Sequence, residues 1–136
     1  MKPSLLAKDE GEREMKPILL LLMSAVSASM GQVLFRKGVL VTGEVNFKTS
    51  ILSELSKLVF NPVVFSGLIL YFVGTVLWLI ALSKTTLNFA YPFTALTFVL
   101  VMVSSKVIFL ENIPTLRYFG VILIILGLLL SSAAKG

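Results

Sequence analysis

An all-α integral membrane bundle of four transmembrane helices is the fold class this sequence predicts, and three observations point to it. First, 57% of the 136 residues are hydrophobic and only 14% are charged, with a mean hydropathy of +0.96. A soluble domain averages about a quarter charged, so this chain has too few polar residues to cover itself in water. Second, the apolar residues fall into four long stretches, at about 17–36, 62–83, 87–110 and 115–134. Each is about 30 Å or longer as a helix, enough to cross a bilayer core, and in lipid a helix is what satisfies its own backbone. Third, Pro62, Pro92 and Pro114 stand at or near the starts of the last three stretches. A missing N–H costs least there.

Residues 1–16, "MKPSLLAKDEGEREMK", hold four of the seven acidic residues and read as a solvated, polar N-terminal extension. Met15 opens a stretch that itself reads as a chain start, so no function is expected of the residues before it. The following "MKPILLLLMSAVSAS" has the charged start, short apolar core and small residues of a signal peptide. The apolar run resumes with "VLF" after Gln32, which favours a retained helix; the transmembrane domain is expected over 17–136.

The connection 37–61 is the one long loop. Within it Ile51, Leu52, Leu55, Leu58 and Val59 recur at helical spacing, with Glu54 and Lys57 on the other face. This pattern reads either as an interfacial extension of the second helix or as a lid over a membrane-embedded site. The turns "SKTT" and "ENIP" are short, so the last three helices are antiparallel neighbours. Gly67, Gly74 and Ala81 are spaced by seven, as are Gly120, Gly127 and Ala134. Such rows let another helix approach closely, and Gly120 and Gly127 mark a candidate dimer or packing seam.

The composition also excludes chemistry. With no Cys and no His there are no disulfides, no thiol nucleophile, no Cys/His metal site and no imidazole base. No nucleophile–base pair is recognisable, so neither an enzyme nor a bound cofactor or metal is expected. The net charge of +5 is scattered between apolar runs rather than gathered in a stripe, which argues for lipid phosphates and against nucleic acid. Lys and Arg divide six against six between the two sides, which gives the positive-inside rule nothing to act on. Without the first 14 residues the division is three against six and favours a cytoplasmic long loop, so both orientations stay open.

Antiparallel alternation brings Arg36, Lys37, Lys106, Glu111 and Arg117 to one membrane level. Lys106 lies about 6 Å inside the end of its helix, within reach of the interface by snorkelling. The alternative is a basic mouth that attracts an anionic group, a lipid phosphate above all. Glu111 reads as a partner for these cations or a cap for the last turn. Deeper polar groups are few. Ser24, Ser27, Ser29, Thr75, Thr94, Thr97, Ser104 and Ser105 are expected mostly to bond their own helices. Gln32, a primary amide in hydrocarbon, is a candidate cavity residue. Tyr91 and Trp78 read as interface anchors or as aromatic cavity walls. No helix carries a deep carboxylate, which argues against proton-coupled cation export.

"GQVLFRKG" closing the first helix, "LWLIALSKTTLNFAYP" across the second turn, "ENIP" after the third helix and "GVILIILG" in the fourth resemble the small four-helix members of the drug/metabolite transporter superfamily. The likeness covers about 17–134. One branch, the small multidrug resistance proteins, shares the "AY" opening and the Gly120–Gly127 seam, which is its dimer contact. Its essential first-helix glutamate falls near Ala28, where there is no carboxylate. The other branch fits better: EamA-like half-transporters and the subunits of the undecaprenyl-phosphate aminoarabinose flippase (ArnE and ArnF type). Its pattern is similar to Gly31, Gln32, Arg36, Lys37, Ala90, Tyr91, Pro92, Glu111 and Gly120 here.

That resemblance implies a flippase for an anionic polyprenyl-phosphate-linked sugar in a bacterial or archaeal cell membrane, working as a homodimer or with a sister subunit. Arg36, Lys37, Lys106 and Arg117 would hold the phosphate, Glu111 would partner them, and Gln32 and Tyr91 would line the headgroup route. A small exporter of hydrophobic cations and a non-transporting subunit of a membrane glycosyltransferase are the competing expectations. The loop 37–61 is longer than the shortest members of that branch carry.

Overall fold

The computed structural model describes residues 3–44 and 50–133, without the side chains of residues 3–15 and 132. Ala134, the last residue of the second small-residue row, lies outside them, as do the basic residues Lys2, Lys48 and Lys135. The described residues form helices and no strand: α1 (Pro3–Thr42), α2 (Ile51–Val59), α3 (Pro62–Leu82), α4 (Leu87–Ala90), a 3₁₀ turn (Tyr91–Phe93), α5 (Thr94–Ile108) and α6 (Thr115–Ala133). Three segments are long and apolar enough to cross a membrane, Lys16–Thr42, Pro62–Leu82 and Leu87–Ile108, and a shorter apolar helix covers Thr115–Ser131.

The first helix is longer than its apolar run at both ends. It starts at Pro3, carries Pro17 inside it and continues six residues past Arg36. Gly43 stops it with φ +91°, a left-handed conformation glycine adopts without a Cβ clash, and its N–H donates to the Val39 carbonyl at 3.0 Å. Asn61 then starts α3. Its side-chain oxygen accepts from the Val63 and Val64 amides, and its amide donates to Thr42 Oγ1 at 2.8 Å. One side chain thus caps α3 and ties it to the end of α1.

The α1–α3 pair is the core, and it is built on small residues. A Cβ added to Gly31 would meet the Gly67 carbonyl oxygen at 2.8 Å, and one on Gly74 would meet the Ala28 amide nitrogen at 2.9 Å. Gly67, Gly74 and Ala81 are buried, as their spacing predicts. Ser27 Oγ donates across the pair to the Leu70 carbonyl at 2.8 Å, the kind of hydroxyl bond that links helices in a membrane. Leu21, Ala81 and Ala90 close the end of the bundle opposite Asn61.

The third apolar stretch is not one helix. Pro92 cannot donate in an α-helical ladder, and the chain passes through the 3₁₀ turn Tyr91–Phe93 between α4 and α5. α5 ends at Ile108, and Leu110 is left-handed at φ +53°. α2 is separate from α3 and amphipathic, with Glu54 and Lys57 paired at 2.8 Å. It packs against α1 and α3 and lines neither of the cavities described below, so it forms no lid over them. α6 packs loosely: Leu116, Phe119, Leu123 and Leu130 are all more than half exposed, and a Cβ on Gly120 or Gly127 would meet nothing within 4 Å.

Candidate functional site

A cavity of about 510 Å³ opens between the C-terminal part of α1, α5 and the start of α6. Its charged lining is Arg36 from α1, Arg117 from α6 and Glu111 from the α5–α6 loop; Gln32 and Ser105 add uncharged polar groups. Phe98, Val101, Met102 and Val121 make the rest of the wall largely apolar.

Glu111 organises this cavity. Its Oε1 accepts from Arg36 Nη2 at 2.9 Å and from Nε at 3.3 Å, while Oε2 accepts a short hydrogen bond from Ser105 Oγ. The left-handed Leu110 turns the chain so that the Glu111 N–H also donates to the Ser105 carbonyl at 3.2 Å. Hydrogen bonds from Ser105 and Arg36, with the Arg36 and Arg117 charges, hold the carboxyl below the usual carboxylate value. The Glu111 anion is therefore the stable form at neutral pH. Two guanidinium groups against one carboxylate leave the lining with a net positive charge.

Four of the seven candidate ligand residues, Gln32, Arg36, Glu111 and Arg117, line this one cavity. Lys37 and Lys106 are exposed and line no part of it. Lys106 reaches along the outside of the bundle, where Nζ donates to Tyr118 Oη at 3.0 Å and lies 5.5 Å from the ring centre. Tyr91 is half exposed and meets Trp78 edge to face, with centroids 6.4 Å apart.

Ser29, Thr75 and Thr94 bond back to the carbonyls of the preceding turn, as is expected of most hydroxyls in these helices, Ser105 among them. Ser105 instead grips Glu111, six residues on. No periodic signal marks that pair, because it depends on the turn at Leu110.

A second cavity, of about 340 Å³, lies deeper between α1, α3 and α5, and Gln32, Thr97 and Phe98 line both. The remaining polar and aromatic groups of the second include Ser24, Tyr71, Thr75, Trp78 and Thr94, and no charged residue lines it.

No family model and no solved structure matches the chain. Curated relatives do. A protein of Aeromonas salmonicida named "Probable 4-amino-4-deoxy-L-arabinose-phosphoundecaprenol flippase subunit ArnE" is 29% identical over 113 residues, 83% of this chain and 94% of the relative. Its namesake in Salmonella enteritidis is 39% identical over 70 residues, 50% of this chain and 63% of the relative. The corresponding ArnF subunit of Proteus mirabilis is 40% identical over 72 residues, 52% of this chain and 54% of the relative. The match thus spans nearly the whole of the first relative and rather more than half of the other two. Taken with its long apolar helices, this likeness makes the chain an ArnE-like small integral membrane protein.

Proposed function

We propose that this chain is a subunit of a bacterial inner-membrane flippase that moves a phosphate-linked sugar lipid between leaflets. The observation that carries the reading is the Arg36–Glu111–Arg117 cavity, a net positive site beside a polar amide at one end of an apolar bundle. The printed names of the relatives support the same substrate class.

The phosphate would sit between Arg36 and Arg117, whose planar donors suit its oxygens. Glu111 would hold Arg36 in place until the phosphate arrives. Lys37 and Lys106, outside the cavity, would raise the local concentration of anionic headgroups from the rim. Gln32 would meet the polar head as it moves inward, with Tyr91 steadying Trp78 on that route, and the polyprenyl tail would stay in lipid. Residues 17–136 would form the transport unit, crossing the membrane four times, with 1–16 as a polar extension of α1. Gly120 and Gly127, uncovered within the chain, would seat a second copy or a sister subunit.

Ligand-induced thermal stabilisation of the full chain in detergent tests this reading. Undecaprenyl phosphate and a phosphate-linked sugar lipid should raise the melting temperature, and Arg36→Glu should abolish the gain. Stabilisation by a hydrophobic quaternary ammonium alone would overturn it.

A further inference from the structure

We propose that the second, uncharged cavity is a binding site for the hydroxyl-rich ring of a lipid-linked sugar. This rests on the flippase reading and adds a place for the sugar ring of the ligand, apart from its phosphate. The two cavities are stacked along the bundle. The first reaches from Gln32 towards Arg36, the second from Gln32 back to Ser24, about 12 Å further along α1. Gln32, Thr97 and Phe98 line both and so form the neck between them.

The chemistry of the lining separates the two roles. Arg36, Arg117 and Glu111 supply charge to the first cavity, whereas the second offers only amide, hydroxyl, indole and aromatic groups. The Gln32 amide, the Thr97 hydroxyl and the Trp78 indole N–H form no hydrogen bond with another described residue. These groups are partly buried and open to the cavity, where they offer donors and acceptors to a ligand rich in both.

A sugar ring presents hydroxyls at its edge and C–H groups on its faces. The first suit Gln32 and Thr97; the second suit the aromatic walls of Trp78 and Tyr71. A groove on the outer side of the α1–α3 pair gives the contrast. Its lining includes Leu22, Met23, Val26, Leu70, Val73 and Leu77, which suit a hydrocarbon chain, and its one hydroxyl, Ser27, already donates to the Leu70 carbonyl.

Trp78 is the single tryptophan of the chain, so its fluorescence reports on this cavity alone. The full chain in detergent micelles, which add no tryptophan, would be titrated with bare polyprenyl phosphate, with polyprenyl phosphate carrying a neutral hexose, and with a hydrophobic quaternary ammonium. Thermal stabilisation would be followed in parallel. Both phosphate lipids should stabilise the protein, but only the sugar-bearing one should shift Trp78 emission. Trp78→Leu should weaken the sugar lipid about tenfold, the factor that loss of one aromatic contact corresponds to. It should leave bare polyprenyl phosphate within about twofold, and Trp78→Phe should restore most of the loss.

Sugar-lipid stabilisation with unchanged Trp78 emission would overturn this site and leave the flippase reading standing. Stabilisation by neither phosphate lipid would overturn both. An emission shift from the quaternary ammonium alone would overturn it in favour of a cation–π box.

Discussion

Arg36 and Glu111 stand 75 positions apart in the chain and meet at 2.9 Å where α1, the α5–α6 loop and α6 converge. Their side chains remain 52% and 37% exposed, so the pair is screened and contributes little to stability. Its value lies in position. It presents a guanidinium to the cavity with its orientation already set by a carboxylate that Ser105 holds from the other side.

A double-mutant cycle on Arg36→Gln and Glu111→Gln is therefore expected to show almost no coupling in chemical denaturation. Each single variant should unfold close to the parent chain. A large loss of stability on either change would mean that the pair holds the bundle together.

Titration of Glu111 gives a second expectation, with a definite sign. Its carboxyl is held below the ordinary value of 4.5, which the unfolded chain restores. The folded state thus binds its proton less readily than the unfolded state. The contribution to stability is complete above pH 4.5 and is lost as pH falls below it, through the lowered folded value. Thermal unfolding followed from pH 7 to pH 3 should show a decline below pH 4.5 that is smaller in Glu111→Gln. An equal decline in both chains would place the titrating group elsewhere.

The apolar runs and the Gly67–Gly74–Ala81 row were readable because length and spacing alone decide them. Lipid thickness fixes the first, and close helix approach fixes the second. That Arg36 and Arg117 share one level of the bundle follows from antiparallel alternation; that they line one cavity does not. Lys106 escaped that argument: on a helix the level of a residue is legible, but the face it turns to its neighbours depends on packing. The division of the third stretch around Pro92 was likewise hidden, because a proline after a helix start also fits an unbroken helix. Ser105 gains its place through the turn at Leu110, which periodicity does not encode, and only packing decides between the two readings of Trp78 in favour of the cavity wall.

The glycine rows separate packing from assembly. Gly67→Ala should cost about 1–3 kcal/mol, because its Cβ would come within 2.9 Å of the Gly31 carbonyl oxygen and backbone must move. Gly120→Ala and Gly127→Ala meet open space inside a helix and should leave the single chain as stable or slightly more so, because alanine is the better helix former. Unfolding in detergent at low protein concentration reads the first effect. Cysteine crosslinking at position 123 in native membranes reads whether the exposed α6 face meets another subunit.

Asn61 performs two tasks, and its removal should show both. Asn61→Ala deletes the acceptor for the Val63 and Val64 amides and the donor to Thr42. A cost of about 1–2 kcal/mol is expected from the cap alone. Asn61→Asp keeps the acceptor and loses the donor, so it should recover most of the stability. Amide hydrogen exchange at Val63 and Val64 should rise in the alanine variant and stay low in the aspartate one.

Lys106 and Arg36 should behave differently towards an anionic lipid because only one of them lines the cavity. Lys106 is exposed and bonded to Tyr118, so its charge acts through solvent and is screened over about 10 Å at 0.1 M salt. Lys106→Gln should weaken polyprenyl phosphate binding about twofold at low salt and not at all near 0.5 M salt, an effect on encounter rather than on contact. Arg36→Gln removes a direct charge-assisted donor and should cost about tenfold or more at both salt concentrations. Isothermal titration in nanodiscs at the two salt concentrations separates these cases. Equal, salt-independent losses in both variants would bring the Lys106 ammonium into contact with the phosphate and require the α5–α6 loop to rearrange on binding.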